Sequence, residues 1–215
     1  PVAITPTLND LFYGGFCNDL IWPLFHYFPS YSVFNSDYYK AYQEANSKYC
    51  DELIKIIQPG DFIWIHDYQL MLLPEMIREK IPDATIGFFL HIPFPSFEIF
   101  RLLPRQWRES IVKGILGADL IGFHTHDYTQ HFIKCVKRTT GFEIHQNIIY
   151  TPNKRVKADA FPIGIDYDKF HDACLKEHVL AEKLKIKIHL AKQKLIFSVD
   201  RLDYSKGLLL RLKGY

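Results

Sequence analysis

Apolar positions along this chain alternate between short continuous runs and segments with helical spacing, the pattern of an α/β protein built on a parallel sheet. Residues 62–65 (FIWI) and 85–90 (TIGFFL) are β-rich runs that predict strands buried on both faces. Between them, residues 70–80 carry apolar side chains at helical intervals, Pro74 falls near the first turn, and Ile81-Pro82-Asp83 stops the helix. Residues 61–95 therefore read as a βαβ unit. A third buried strand is expected at 120–123 (LIGF), followed by a helix that Thr125 or Asp127 caps, that carries Tyr128, Phe132, Cys135 and Val136, and that Gly141 closes.

The flanking segments are read in the same way. Asn35 or Ser36 caps a long core-facing helix with Tyr38, Tyr42, Ala45, Tyr49, Leu53 and Ile56 on one face and Pro59-Gly60 at its end. No chemistry is assigned to it. Phe12-Tyr13-Gly14-Gly15-Phe16 and Trp22-Pro23 show no helical or strand period and read as an aromatic loop. Pro93 and Pro95 bracket a rigid turn, Ser96 caps a short helix that Pro104 interrupts, and a second helix runs to Gly117. Residues 143–150 and 156–161 flank Thr151-Pro152-Asn153 as a hairpin or a pair of edge strands. Residues 166–194 are helical and lysine-rich, as in an exposed connecting segment, and 195–199 predict a fresh strand before a polar loop and a helix. The expected organisation is a Rossmann-like domain over 1–165, a helical connection over 166–194, and the first strand-loop-helix of a second Rossmann-like domain over 195–215.

Composition narrows the classes. With 215 residues and 48% hydrophobic content the chain can bury a sizeable core, and no apolar run approaches the roughly 20 residues of a membrane helix. A net charge of +2 from scattered basic residues gives no electrostatic support for a nucleic-acid partner. Cys17, Cys50, Cys135 and Cys174 stand far apart, without metal-type spacing, as free thiols of a reducing compartment do. A cytoplasmic location without membrane association is expected, and a homo-oligomer is left open. The chain starts at Pro1 without methionine and ends at Tyr215 soon after a new motif opens, so both ends read as cuts through a longer protein.

In open parallel sheets, ligands bind beyond the carboxyl ends of the strands. The first two strands end in His66-Asp67 and His91, which makes Asp67 and His91 the first candidates for chemistry. His124-Thr125-His126 has no carboxylate or cysteine at ligand spacing, so no metal is expected there. In the loop 200–207, Arg201 and Lys206 can each donate charged hydrogen bonds to a diphosphate, although the paired glycines of a P-loop are absent.

Five motifs, FYGGFCNDLIWPLFHY, WIHDYQLMLLP, GFFLHIPFPSFEIFRLLP, FPIGID and FSVDRLDYSKGL, together closely resemble the trehalose-6-phosphate synthase family of retaining GT-B glycosyltransferases. The resemblance runs in order over nearly the whole chain. It implies an α/β fold of the GT-B type and transfer of glucose from UDP-glucose to glucose 6-phosphate, giving α,α-trehalose 6-phosphate and UDP, without a cofactor or metal. Tyr13 and Trp22 match the aromatic pair at the acceptor phosphate, Asp67 the carboxylate on acceptor hydroxyls, His91 the histidine at the donor glucose, and Arg201 and Lys206 the basic pair on the donor diphosphate. A glycine-rich loop and a basic residue that the family carries near its amino terminus are absent from this chain. So are an acceptor-phosphate arginine and the acidic ribose motif that the family carries further on. A catalytically silent sugar-phosphate sensor and a different GT-B enzyme are the alternatives, but every family position present holds the active residue type.

Overall fold

A strand is stable only beside another strand, and the apolar runs pair as the βαβ pattern requires. The computed structural model describes residues 1–190 and 193–215, which divide by their contacts into two units, Pro1–Pro162 and Ile163–Tyr215. The first unit holds α1 (Pro6–Asn9), a π-helix (Asp10–Ile21), α2 (Trp22–Phe25), α3 (Ser36–Ile54), β1 (Phe62–His66), α4 (Leu73–Lys80), β2 (Thr85–Phe89), α5 (Phe97–Phe100), α6 (Arg105–Leu116), β3 (Leu120–Phe123), α7 (His126–Thr140), β4 (Glu143–His145), β5 (Ile148–Tyr150) and β6 (Arg155–Ala160). Its strands form one sheet in the order β1-β2-β3-β6-β5-β4. The pairs β1–β2, β2–β3 and β3–β6 are parallel, and β4–β5 and β5–β6 are antiparallel.

The core lies on one face of this sheet. Ile63, Ile65, Ile86, Phe88, Ile121, Phe123, Val156 and Ala158 are buried there among side chains from α3, α4, α6 and α7, including Tyr42, Ile77, Ile115 and Phe132. The opposite face departs from the expectation of strands buried on both sides. Phe62 and Trp64 are each 62% exposed, so β1 alternates instead of being uniformly covered. The helices of this unit cover one side only, and an unbroken apolar run does not report how many sides are covered. With Phe89, Leu120 and Phe161, these rings line an apolar concavity of about 400 Å³. Gly122 makes room for it, because a Cβ there would stand 2.5 Å from the Phe89 ring.

Two readings resolve further. Residues 143–150 are not one strand but β4 and β5, joined through Gln146 and Asn147 at φ 50 and 63, the left-handed pair a two-residue hairpin turn needs. β6 is no edge strand, because β3 flanks it on one side and β5 on the other. At the amino ends of the strands, Asp119 accepts from Arg78 at 2.8 Å, from Lys154 at 3.2 Å and from the Ile86 N–H at 2.8 Å, which ties α4, β2 and the β5–β6 turn together.

The second unit contains α8 (Tyr167–Ala173), α9 (Glu177–Leu190), a 3-10 turn (Tyr204–Lys206) and α10 (Leu208–Lys213). The helical reading of 166–194 corresponds to α8 and α9, while residues 191 and 192 lie outside the described residues. The strand expected at 195–199 is not formed: those residues carry no regular structure, and Phe197 is 79% exposed. A β-rich run becomes a strand only when a neighbour accepts its hydrogen bonds, and among the described residues of this unit there is none.

Candidate active site

The site is built from the turn after β1. The Asp67 N–H donates to Phe89 O at 2.8 Å, which extends the β1–β2 pairing by one residue and fixes where the chain leaves the sheet. Asp67 then adopts φ 73, ψ 172, a conformation nearly reserved for glycine that costs about 1–3 kcal/mol. The surroundings hold it there. Its Oδ1 accepts from the Tyr68 N–H at 3.0 Å and from the His91 N–H at 3.1 Å, so the carboxylate of one strand end is pinned to the backbone of the next. Asp67 and His91 are thus adjacent at the carboxyl ends of neighbouring parallel strands, the arrangement their positions in the sequence predict.

Helix α3, to which no chemistry was assigned, supports this turn. Tyr42 Oη donates to Tyr68 O at 2.7 Å and accepts from the Met71 N–H at 3.0 Å, and Asn46 Nδ2 donates to Gln69 O at 3.0 Å. Both side chains are fully buried. Residues 67–71 are therefore clamped from beneath by Tyr42, which the sequence reading placed on the core face, and by Asn46, which it did not single out. The signal available was a Tyr and an Asn one helical turn apart on that face.

The segment carrying Tyr13 and Trp22 corrects another expectation. It is not a loop but a continuous run of helix through α1, the π-helix and α2, and the Trp22 N–H donates to Cys17 O, five residues back. The buried positions Leu8, Phe12, Phe16-Cys17, Leu20-Ile21 and Leu24-Phe25 recur slightly more than four residues apart, which matches neither the 3.6 nor the 2 of the usual templates. Chemistry follows from that period. Residues nine apart lie on opposite sides of an α-helix but nearly on the same side of a helix with about 4.4 residues per turn, so Tyr13, Asn18 and Trp22 share the less buried stripe. Tyr68 Oη donates to Asn18 at 3.1 Å and the Trp22 ring stands 6.0 Å from the Tyr68 ring, which brings this stripe against the Asp67 turn.

Helix α2 closes with Phe28 N–H to Pro23 O at 2.8 Å and Tyr27 N–H to Leu24 O at 3.2 Å, with Tyr27 at φ 66 where glycine is usual. The Tyr27 Oη accepts the Ser96 N–H at 2.8 Å, so the aromatic helix is tied to the turn after β2. Ser96 occupies the cap position of α5, but its side chain makes no capping bond.

His91 joins a wider group. Its Nε2 shares a 2.9 Å hydrogen bond with His66 Nδ1, and the His124 ring stands 5.5 Å away. Burial pushes the His91 imidazole below its ordinary value, Asp67 opposes this, and His66 and His124 reinforce it, so His91 is neutral at pH 7. Among the described residues, no three His, Cys, Asp or Glu side chains form a group that could hold a metal ion. Thr125 caps α7 by accepting the Tyr128 N–H at 3.3 Å, which settles the choice between Thr125 and Asp127.

Arg201 and Lys206 belong to the second unit and are exposed there. Asp203 accepts the Ser205 N–H at 2.8 Å and shapes the turn between them, while Asp200 pairs with Arg211 at 2.8 Å. The first unit thus brings together a strained carboxylate, a group of imidazoles and an aromatic stripe, while Arg201 and Lys206 lie in the second unit.

A parallel α/β sheet whose polar groups gather beyond its carboxyl ends defines a Rossmann-type ligand-binding domain. The sequence profile of glycosyltransferase family 20 matches residues 1–215, and the chain belongs to that family. It is 47% identical over 211 residues to alpha,alpha-trehalose-phosphate synthase (UDP-forming) 1 of Aspergillus fumigatus, covering 96% of this chain and 41% of that protein. It is 42% identical over 215 residues to the bifunctional trehalose-6-phosphate synthase/phosphatase of Thermoproteus tenax, covering all of this chain and 29% of that protein. A solved UDP-forming alpha,alpha-trehalose-phosphate synthase from Burkholderia xenovorans superposes with a TM-score of 0.87 at 35% identity, covering 98% of this chain and 47% of that one. The α/β fold of the GT-B type is therefore the one observed. The chain spans less than half the length of each of these relatives. Among the described residues, no helix is long and apolar enough to cross a membrane.

Proposed function

We propose that the protein carrying this chain transfers glucose from UDP-glucose to glucose 6-phosphate with retention, releasing UDP and forming α,α-trehalose 6-phosphate in the cytoplasm. The observation that carries this reading is Asp67, held in a glycine-like conformation beside His91 at the carboxyl edge of a family 20 sheet. A strained polar residue that its surroundings over-determine belongs to a site.

In this reading Asp67 orients acceptor hydroxyls, Tyr13 and Trp22 hold the acceptor phosphate through their polar edges, and His91 meets the donor glucose. As the glycosidic bond breaks, negative charge grows on the diphosphate oxygens. Arg201 and Lys206 are the cations that stabilise it, a role for preorganised donors that needs no resident metal. The acceptor attacks from the face that the leaving group departs, and a phosphate oxygen takes its proton, so no protein nucleophile is required.

The test is full-length protein incubated with UDP-glucose and glucose 6-phosphate, with products identified by NMR. Expected is stoichiometric UDP and a 1,1-linked α,α product. No UDP release would make the protein a silent sensor, and transfer only to another acceptor would make it a different glycosyltransferase.

A further inference from the structure

Three imidazoles meet at the carboxyl edge of the sheet, one from the end of each of β1, β2 and β3. His66, the last residue of β1, pairs in register with Phe89, and His91 follows two residues beyond that partner. The His66 and His91 ring centroids lie 5.2 Å apart with their planes inclined by 29°, and Nδ1 of the first is 2.9 Å from Nε2 of the second, so the two rings meet edge to edge. A neutral imidazole has one donor and one acceptor nitrogen, so a hydrogen bond between two of them locks both tautomers together. If His66 Nδ1 donates, His91 carries its proton on Nδ1; if His91 Nε2 donates, its Nδ1 is an acceptor. In either case Nδ1 is the His91 nitrogen left to face a ligand.

We infer that His66 is a positioning residue for His91: through the Nδ1–Nε2 bond it fixes the ring plane with which His91 meets the donor sugar and couples the His91 tautomer to its own. This rests on the proposed donor-side role of His91. The packing supports it, because the backbone N–H of His91 is already bound to Asp67, and the Phe89 and His124 rings stand at 4.7 and 5.5 Å from its ring. The charged and titratable groups facing His91 are Asp67, His66 and His124, and the net effect of burial and these neighbours keeps it neutral. His66 itself is exposed, resting against Trp64 at 4.7 Å, so replacing it does not open the core.

The experiment compares His66→Asn, His66→Phe and His91→Ala with wild type in full-length protein. Asn places a hydrogen-bonding atom near the position of Nδ1, whereas Phe keeps an aromatic ring without a partner nitrogen. In His66→Phe, kcat/KM for UDP-glucose is expected to fall about 10- to 100-fold, the scale of a misplaced contact. The acid limb of its pH profile should move to higher pH, because one group that disfavours the protonated His91 has gone. His66→Asn should recover to within about threefold of wild type, since its amide restores the bond. The ¹⁵N shifts of the His91 ring should report the same tautomer balance in wild type and His66→Asn and a different one in His66→Phe. Wild-type kcat/KM and an unchanged His91 tautomer in His66→Phe, with His91→Ala impaired, would overturn the inference. Full activity in His91→Ala would instead refute the donor-side role, while the ¹⁵N spectra would still decide whether His66 is coupled to the His91 tautomer.

Discussion

At the level of single residues, backbone strain falls on Asp67, the residue proposed to orient the acceptor. Its φ of 73 removes the usual reason for a side chain there, yet the carboxylate bridges two strand ends. Asp67→Gly and Asp67→Ala both lose the carboxylate bonds, but only Ala retains the backbone strain. The Gly variant should therefore be more stable than the Ala variant by about 1–3 kcal/mol, with transfer lost in both. Equal melting free energies would show that the turn is relaxed. Asp67 and His91 were legible because a strand end in a βαβ unit is a fixed landmark. The strain at Asp67 was not, because the turn is held by hydrogen bonds to partners distant in sequence, Phe89 O and the His91 N–H.

At the level of elements, the π-helix decides which residues face the site. A reading that tests periods of 3.6 and 2 finds neither in residues 10–21, and the glycine pair argues for a loop, so the segment was misjudged although its buried positions repeat regularly. Gly15 serves packing here: a Cβ would lie 2.5 Å from the Tyr38 ring. Gly15→Ala should destabilise the protein by about 1–3 kcal/mol, and adding Tyr38→Ala should recover part of this because the clash is removed. Unchanged stability in Gly15→Ala would contradict the close approach.

The junction of Asp119 with Arg78 and Lys154 carries a pH dependence. Burial pushes the Asp119 carboxyl up, but the Ile86 N–H, Lys154 and Arg78 outweigh it and hold it below the ordinary range. A carboxylate whose folded pKa is depressed contributes stability that is present above its unfolded value and lost as pH falls through the folded one. Asp119→Asn should therefore cost about 1–3 kcal/mol at pH 7 and flatten the loss of stability on acidification below about pH 4. An acid titration of unfolding with the same slope in both proteins would refute it. Lys154 could be read as a hairpin tip, and the turn is there, but its ammonium reaches Gly117 O and Ala118 O, contacts only the folded sheet creates.

At the level of the whole molecule, the two sets of candidate residues fall in different units, Asp67 and His91 in the first and Arg201 and Lys206 in the second. The βα alternation made the first unit readable. The strand expected at 195–199 was not realised because its pairing partner is a property of the fold, not of the run. In the full-length protein, Arg201→Ala or Lys206→Ala should weaken the transition state by about 2–4 kcal/mol, the loss of one preorganised donor. Unchanged turnover in both would remove them from the site. The isolated 215 residues should give no useful turnover, because holding both substrates in attack geometry can be worth about 7–11 kcal/mol of barrier and the described residues of the second unit form no sheet.

The central claim is that transfer takes place at the carboxyl edge of β1 and β2. Asp67→Asn tests it most directly, because the amide can still accept the Tyr68 and His91 N–H bonds and only the charge is removed. In full-length protein, kcat/KM for glucose 6-phosphate with saturating UDP-glucose should fall at least about 100-fold, roughly 2.7 kcal/mol, while the melting temperature stays within a few degrees of wild type. Wild-type transfer by a folded Asp67→Asn protein would contradict the account.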